Sequence, residues 1–347
     1  MTRRSRAFSI DRLLAVAFVF MVTVGLAGLA SQETGATFTG TSTNPSNTLQ
    51  SLAVQPPASQ NNATSGAAGV VNLSWTATPT LPGSGHTLAY LVLRGPVGGP
   101  YSQIASTTTL AYSDTPSSDG TYQYVIQAQV TGGGSFTSGN SAAKTGISDR
   151  IAPTKSITCN SAACSAGWYN ATVSVTVSGT DGGTGMGSVT RNVDSGGQVS
   201  TAGASATFSV SGESASHSVV YFTTDAAGNA SSSATQTIKI DMTAPTAPGG
   251  ITSSTGSSSG QLNVTGTTAG TDALSGVAGY RVYYVAATSC GAGPYGSSQY
   301  FAGNPPAVPL VLTGLTSGTR YCAYVHTVDN AGNESADSNI AGPTKAK

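Results

Sequence analysis

The chain has 347 residues, including 44 Gly, and only 8% are charged, with 14 Lys and Arg against 14 Asp and Glu. This balance argues against a nucleic-acid partner, which needs a basic face to displace counterions from phosphates. It also argues against charge-driven disorder, because Val, Tyr and Thr recur in alternating, strand-like runs, and the length allows two or three domains.

The first expected element is a leader. Arg3, Arg4, Arg6 and Arg12 precede an uncharged apolar stretch over residues 13–30, the n-region and h-region of an export signal. Gly28, Leu29 and Ala30 offer a small-x-small cleavage site. The stretch is also near the shortest length that crosses a bilayer, so residues 1–30 read as a signal peptide or a membrane anchor. Membrane contact is expected only through residues 13–30, if the leader is kept. Cleavage would leave 10 basic residues against 13 acidic ones. Residues 31–65 are rich in Ser, Thr, Pro and Asn and are expected to be a linker. Within it, residues 36–49 (ATFTGTSTNPSNTL) resemble the segment after the signal in secreted matrix proteins of the TasA/camelysin kind. That resemblance implies a dedicated signal peptidase and a bacterial envelope.

The next module spans 66–148. Residues 70–75 alternate apolar and polar as a half-buried strand ending on Trp75, expected to be the largest core residue. Residues 90–94 and 122–128 are further strands, with Tyr122, Tyr124, Ile126 and Ala128 on one face. Trp75, Tyr90, Leu110, Tyr122 and the Tyr-x-Ile-x-Ala run resemble a fibronectin type III domain, with Tyr122 as its tyrosine corner. The resemblance implies a spacer or binding module with no shared catalytic site.

Two phrases then repeat. Asp149-Arg-Ile-Ala-Pro-Thr154 returns as Asp241-Met-Thr-Ala-Pro-Thr246, and Asp225-Ala-Ala-Gly-Asn229 returns as Asp329-Asn-Ala-Gly-Asn333. A period near 100 residues is about one β-sandwich. Residues 149–243 hold strands at 173–177, 217–225 and 237–240, with a Gly-Trp-Tyr-Asn run at 167–170. With the Asp-x-x-Ala-Pro joint and the Ala-Gly-Asn turn, this module resembles bacterial immunoglobulin-like surface repeats. Residues 244–347 again resemble fibronectin type III, through Tyr280, Val282, the strand from Tyr321 and its tyrosine corner. Val264 stands where that family has Trp, so a lighter core is expected. The fold class is therefore all-β: a tandem array of three immunoglobulin-like or fibronectin type III β-sandwiches behind an N-terminal signal or anchor helix. Pro at each joint holds its predecessor extended, which should offset successive sandwiches end to end.

Four cysteines suit two disulfides in an oxidising compartment. Three connectivities are open; Cys159–Cys164 and Cys290–Cys322 are favoured because each pair lies within one module. No Cys or His spacing fits zinc, and no single loop has the ligand pattern of a calcium site, so no metal and no cofactor are expected. The Asp-rich turns read as hairpins in which Asp bonds its own backbone two residues on, the alternative being a cation bridged by Asp149 or Asp241 at the joints. His86, His217 and His326 stand apart without a serine elbow or a paired-carboxylate pattern, and no catalytic residue is assigned. Aromatic rings can stack on sugars, which makes Tyr284, Tyr295, Tyr300 and Trp168 the candidate ligand contacts; alternation sends Tyr280 and its alternate neighbours inward, with Tyr295 and Tyr300 covering the core as the competing reading. Cys322, Tyr324 and His326 are expected to face outward from their strand.

The resulting expectation is an exported, non-catalytic protein, extracellular or on the cell surface, with a structural or adhesive role toward a polysaccharide or a surface protein. The alternatives are an accessory carbohydrate-binding protein of polysaccharide degradation and a matrix-fibre component.

Overall fold

The computed structural model describes residues 54–57, 60–79, 85–132, 134–303 and 309–347. The leader, its cleavage site and the TasA-like segment lie outside the described residues. The chain divides into two compact units. Among the described residues, one takes in those up to Ile151 with Gly182–Gly185 and Ala226–Asn229; the other holds the remainder.

In the first unit the strands are β1 (Gln60–Ser65), β2 (Val71–Trp75), β3 (Thr87–Gly95), β4 (Ser102–Thr107), β5 (Ala111–Asp114), β6 (Gly120–Thr131), β7 (Ser135–Thr137) and β8 (Lys144–Ser148). They form a β1-β2-β5 sheet and a β4-β3-β6-β7 sheet, with β8 also on β6. Alternate residues of β2, β3 and β6 meet in one core that holds Val71, Trp75, Tyr90, Val92, Tyr124 and Ile126. Trp75 packs edge-on to Tyr90, with ring centroids 5.7 Å apart. The expected tyrosine corner is present: Tyr122 Oη donates to the Ser118 carbonyl at 2.9 Å. Leu110, one of the residues that suggested the family, is exposed and lies outside this core. The linker expected to run to residue 65 ends earlier, because Gln60–Ser65 pairs antiparallel with β2. Its polar composition suits an edge strand, which needs few apolar side chains and is protected from further pairing by polar ones.

The second unit contains two more pairs of sheets. The first pair uses β9 (Thr154–Cys159), β10 (Trp168–Tyr169), β11 (Val173–Thr180), β12 (Met186–Val193), β13 (Gln198–Ala202), β14 (Ser205–Val210), β15 (Ser214–Asp225) and β16 (Ala234–Ile240). The sheets are β14-β11-β9 and β10-β16-β15-β12-β13. Their core is largely aliphatic, with Val173, Val175, Val177, Val189, Val219, Ile238 and Ile240. β-branched side chains suit this pleated packing, and each fully buried one contributes about 1.5–3 kcal/mol.

The last pair uses β17 (Thr252–Thr255), β18 (Leu262–Thr265), β19 (Val277–Ala286), β20 (Ser297–Ala302), β21 (Leu310–Leu312), β22 (Arg320–Asp329) and β23 (Ala341–Lys345). The sheets are β17-β18-β21 and β20-β19-β22-β23. Leu262, Val264, Tyr280, Val282, Leu312, Tyr321, Ala323 and Val325 fill the core. The second tyrosine corner also forms, with Thr316 N donating to Tyr321 Oη at 3.0 Å. The architecture is thus a tandem series of β-sandwiches. Among the described residues the helical structure is the 3-10 turn Ala67–Gly69, and no helix is long and apolar enough to cross a membrane.

Candidate functional site

Both expected disulfides are closed, Cys159–Cys164 and Cys290–Cys322. The second one changes the outer face of β22. Cys322, Tyr324 and His326 do lie opposite the core, as alternation requires, but that face is not simply open to water. The segment joining β19 to β20 is tied down by Cys290 and lays Tyr295 against Tyr324, ring centroids 4.9 Å apart. Tyr295, Cys322 and Tyr324 are buried there, with Tyr283, Val285, Ala287 and Cys290 packed around them. This covered face is a small second core, and in it Tyr295 takes the covering role that competed with ligand contact, while Tyr300 stays exposed.

The candidate ring contacts therefore have different settings. Tyr284 points into the main core, 6.2 Å from the Tyr321 ring. Tyr295 is only 8% exposed, and its hydroxyl donates to the Gly291 carbonyl. Trp168 is half-buried on the two-residue strand β10, beside Lys239 of β16. Tyr300 is the most exposed of the four, at 45%, with the Arg281 guanidinium 5.6 Å from its ring centroid. The structure does not bring the four rings to one place.

Next to the covered face lies a polar network centred on Glu334. Its Oε1 accepts from Arg281 Nε at 2.7 Å, and Oε2 accepts from Tyr283 Oη at 2.9 Å. His326 Nδ1 is 2.9 Å from Glu334 Oε2, and Nε2 is 2.7 Å from Asp337 Oδ1. Burial alone would raise the Glu334 carboxyl; the bonds from His326, Arg281 and Tyr283 outweigh it and hold Glu334 below the ordinary carboxylate range. In the middle sandwich His217 is engaged at both nitrogens, by Asp194 and by the Gly212 carbonyl. His86 lies exposed in the first unit. The three histidines sit in separate settings, and two of them are structural ties.

The joint residue Asp241, already a possible cation ligand by its sequence, belongs to a carboxylate cluster whose other members spacing does not reveal. Asp241 of the joint, Asp272 of the segment before β19 and Asp329 at the end of β22 bring one oxygen each within 4.8 Å of one another. Asp241 and Asp329 are buried. These three residues could hold a cation, with hard oxygen donors of the kind calcium takes. The same oxygens also organise their own turns. Asp241 accepts from Thr243 N and Ser275 N, Asp272 from Leu274 N and Gly276 N, and Asp329 from Ala331 N and Asn333 N. Asn333 Nδ2 adds a bond of 2.9 Å to the Asp241 carbonyl. The expected hairpin role of Asp329 is thus realised, bonding two residues on. Ligand spacing within one loop carries no sign of a group assembled from three distant segments. In the first unit Asp149 is held similarly, by Thr184 N at 2.7 Å, Thr184 Oγ1 at 2.9 Å and Ile151 N at 3.1 Å.

No family profile matches the chain, and no curated protein matches it either. Among solved structures, the chain is similar to a crystal structure of titin domains at 14% identity and a TM-score of 0.39, covering 85% of this chain and 98% of that one. It is similar to the FN1-FN3 domains of chicken CNTN1 at 15% identity and a TM-score of 0.35, covering 83% and 97%. Fibronectin(III)-like modules of Clostridium thermocellum CbhA follow at 16% identity and a TM-score of 0.31, covering 54% and 94%.

Proposed function

We propose that this chain is an exported, non-catalytic protein of the cell surface or extracellular space, whose sandwiches act as spacers and present surfaces to a polysaccharide or a surface protein. The observation that carries the reading is how the reactive side chains are used. Glu334, Arg281, His326 and Asp337 are bound to one another across β19, β22 and the turn that follows, and His217 is bound to Asp194 and a carbonyl. Groups spent on such ties fix turns to sheets; they are not left facing a cleft with the mutual geometry of nucleophile, base and oxyanion donor. Two closed disulfides support an oxidising compartment.

The test is a binding screen of the native protein against polysaccharides and surface extracts, run beside hydrolase assays on the same preparation. Saturable binding without turnover is the expected result; turnover that copurifies with the chain would overturn the reading. Tyr300 favours the accessory glycan-binding alternative, because it is an exposed ring on a sheet edge backed by a guanidinium. On that alternative Tyr300→Ala should weaken glycan binding at least tenfold, about 1.4 kcal/mol. Unchanged binding would remove Tyr300 as the platform.

A further inference from the structure

Both ring nitrogens of His217 face groups that can only accept. Nδ1 is 2.7 Å from Asp194 Oδ2, and Nε2 is 3.0 Å from the Gly212 carbonyl oxygen. A neutral imidazole carries one N–H and one lone pair, so it can satisfy only one of these neighbours; imidazolium donates to both. The carboxylate is itself fixed, because Asp194 Oδ1 accepts from Ser218 N at 2.7 Å. Asp194 sits in the turn between β12 and β13, and Gly212 in the turn between β14 and β15, so the ring ties two turns at one end of the middle sandwich.

The tie continues into the joint. Glu213, next to Gly212, accepts from Met242 N at 3.0 Å and from Thr243 Oγ1 at 2.6 Å. Met242 and Thr243 open the segment that leads to the last sandwich. The charged groups on the elements around the ring are Asp194, Glu213, Arg191 on β12, whose guanidinium lies over the Phe208 ring, and, on β16, Lys239, the neighbour of the Ile238 that stands opposite His217.

We propose that His217 is a proton-operated latch: as imidazolium it holds the Gly212–Glu213 turn in place, and through Glu213 it stiffens the joint between the middle and last sandwiches. Loss of the proton sets a lone pair against an acceptor, and one of the two ties opens. Burial alone would disfavour the charged ring, but the bonds to Asp194 and the Gly212 carbonyl outweigh it and raise His217 above its ordinary value. The latch is therefore fully set below the unfolded value of about 6.5 and is released as pH rises through the higher folded value.

The experiment is a pH titration of the purified native protein by histidine 15N NMR, together with amide hydrogen exchange corrected for base catalysis. His217 should titrate above about 6.5 and be doubly protonated at lower pH. Exchange protection at residues 212–218 and 242–243 should fall about tenfold across that transition. In Glu213→Ala the response at 242–243 should vanish while that at 212–218 remains; in His217→Gln both should become flat. A His217 that titrates at or below about 6.5 would overturn the latch. Unchanged protection at 242–243 in the native protein would overturn its link to the joint, and neither result depends on a variant that folds.

Discussion

Glu334 gathers donors from Arg281, Tyr283 and His326 onto one partly buried carboxylate. Glu334→Ala leaves three polar groups to find new partners, which should cost about 2 kcal/mol in urea unfolding. Asp149, Asp194 and Glu334 are all held below the ordinary carboxylate range by the hydrogen bonds they accept; for Asp149 and Glu334 these outweigh burial. A lowered folded pKa contributes stability that is present above the unfolded value, near 4, and is lost as pH falls through the folded value. The urea midpoint followed by circular dichroism should therefore be level above about pH 5 and decline as pH falls below about 4. The contrast with the tyrosine corners explains what could be read at this scale. Tyr122 and Tyr321 meet backbone four and five residues upstream, so a local motif was enough to place them. Glu334 meets Arg281 and Tyr283 across more than fifty residues, and Asp194 meets His217 across 23. Such pairs have no signature in spacing; they follow only from sheet register.

The strap over the outer face of β22 and the Cys159–Cys164 hairpin differ in the length of chain each disulfide closes, with sequence separations of 32 and 5. Loop-closure entropy assigns about 4 kcal/mol to the longer loop and about 2 kcal/mol to the shorter. Paired Cys→Ala variants should rank in that order in urea midpoints, and the reverse order would show that the strap is held mainly by Tyr295 packing. Gly146 of β8 lies close against the first core. A Cβ there would meet Val71 Cγ1 at 2.4 Å and Tyr124 Cε2 at 3.3 Å, so Gly146→Ala should overpack the first core and cost about 1–3 kcal/mol. Central strands such as β2, β11 and β22 were legible because one face must be apolar. The edge strand β1 was not, since an Asn- and Ser-rich strand reads like a linker until its partner is known. The strap was legible only in part: the Cys290–Cys322 pairing ties a loop to an outward-facing strand position, but alternation tells which face a residue takes, not which side chain lies over it. Knowing the face of Tyr324 did not reveal that Tyr295 buries it.

Across the full chain, the repeat of Asp149–Thr154 at Asp241–Thr246 already announces serial β-sandwiches in the sequence. Repetition constrains architecture strongly because each unit must bury its own core. It says much less about a site. Asp241 and Asp329 belong to the repeated phrases, yet Asp272, which completes their cluster, lies in neither phrase. The candidate rings proved equally hard to group: Trp168 belongs to the middle sandwich, Tyr284 packs on the core while Tyr300 on the next strand of the same sheet is exposed, and Tyr295 lies in the covering segment. We propose an exported array held in oxidised form by its two disulfides, with its polar groups used for structure. The most direct test is intact mass, without reductant, of the native protein recovered separately from cytoplasm, envelope and medium. The account predicts a species in the envelope or medium that is four hydrogens lighter than its reduced form, as two disulfides require. A fully reduced chain confined to the cytoplasm would contradict it.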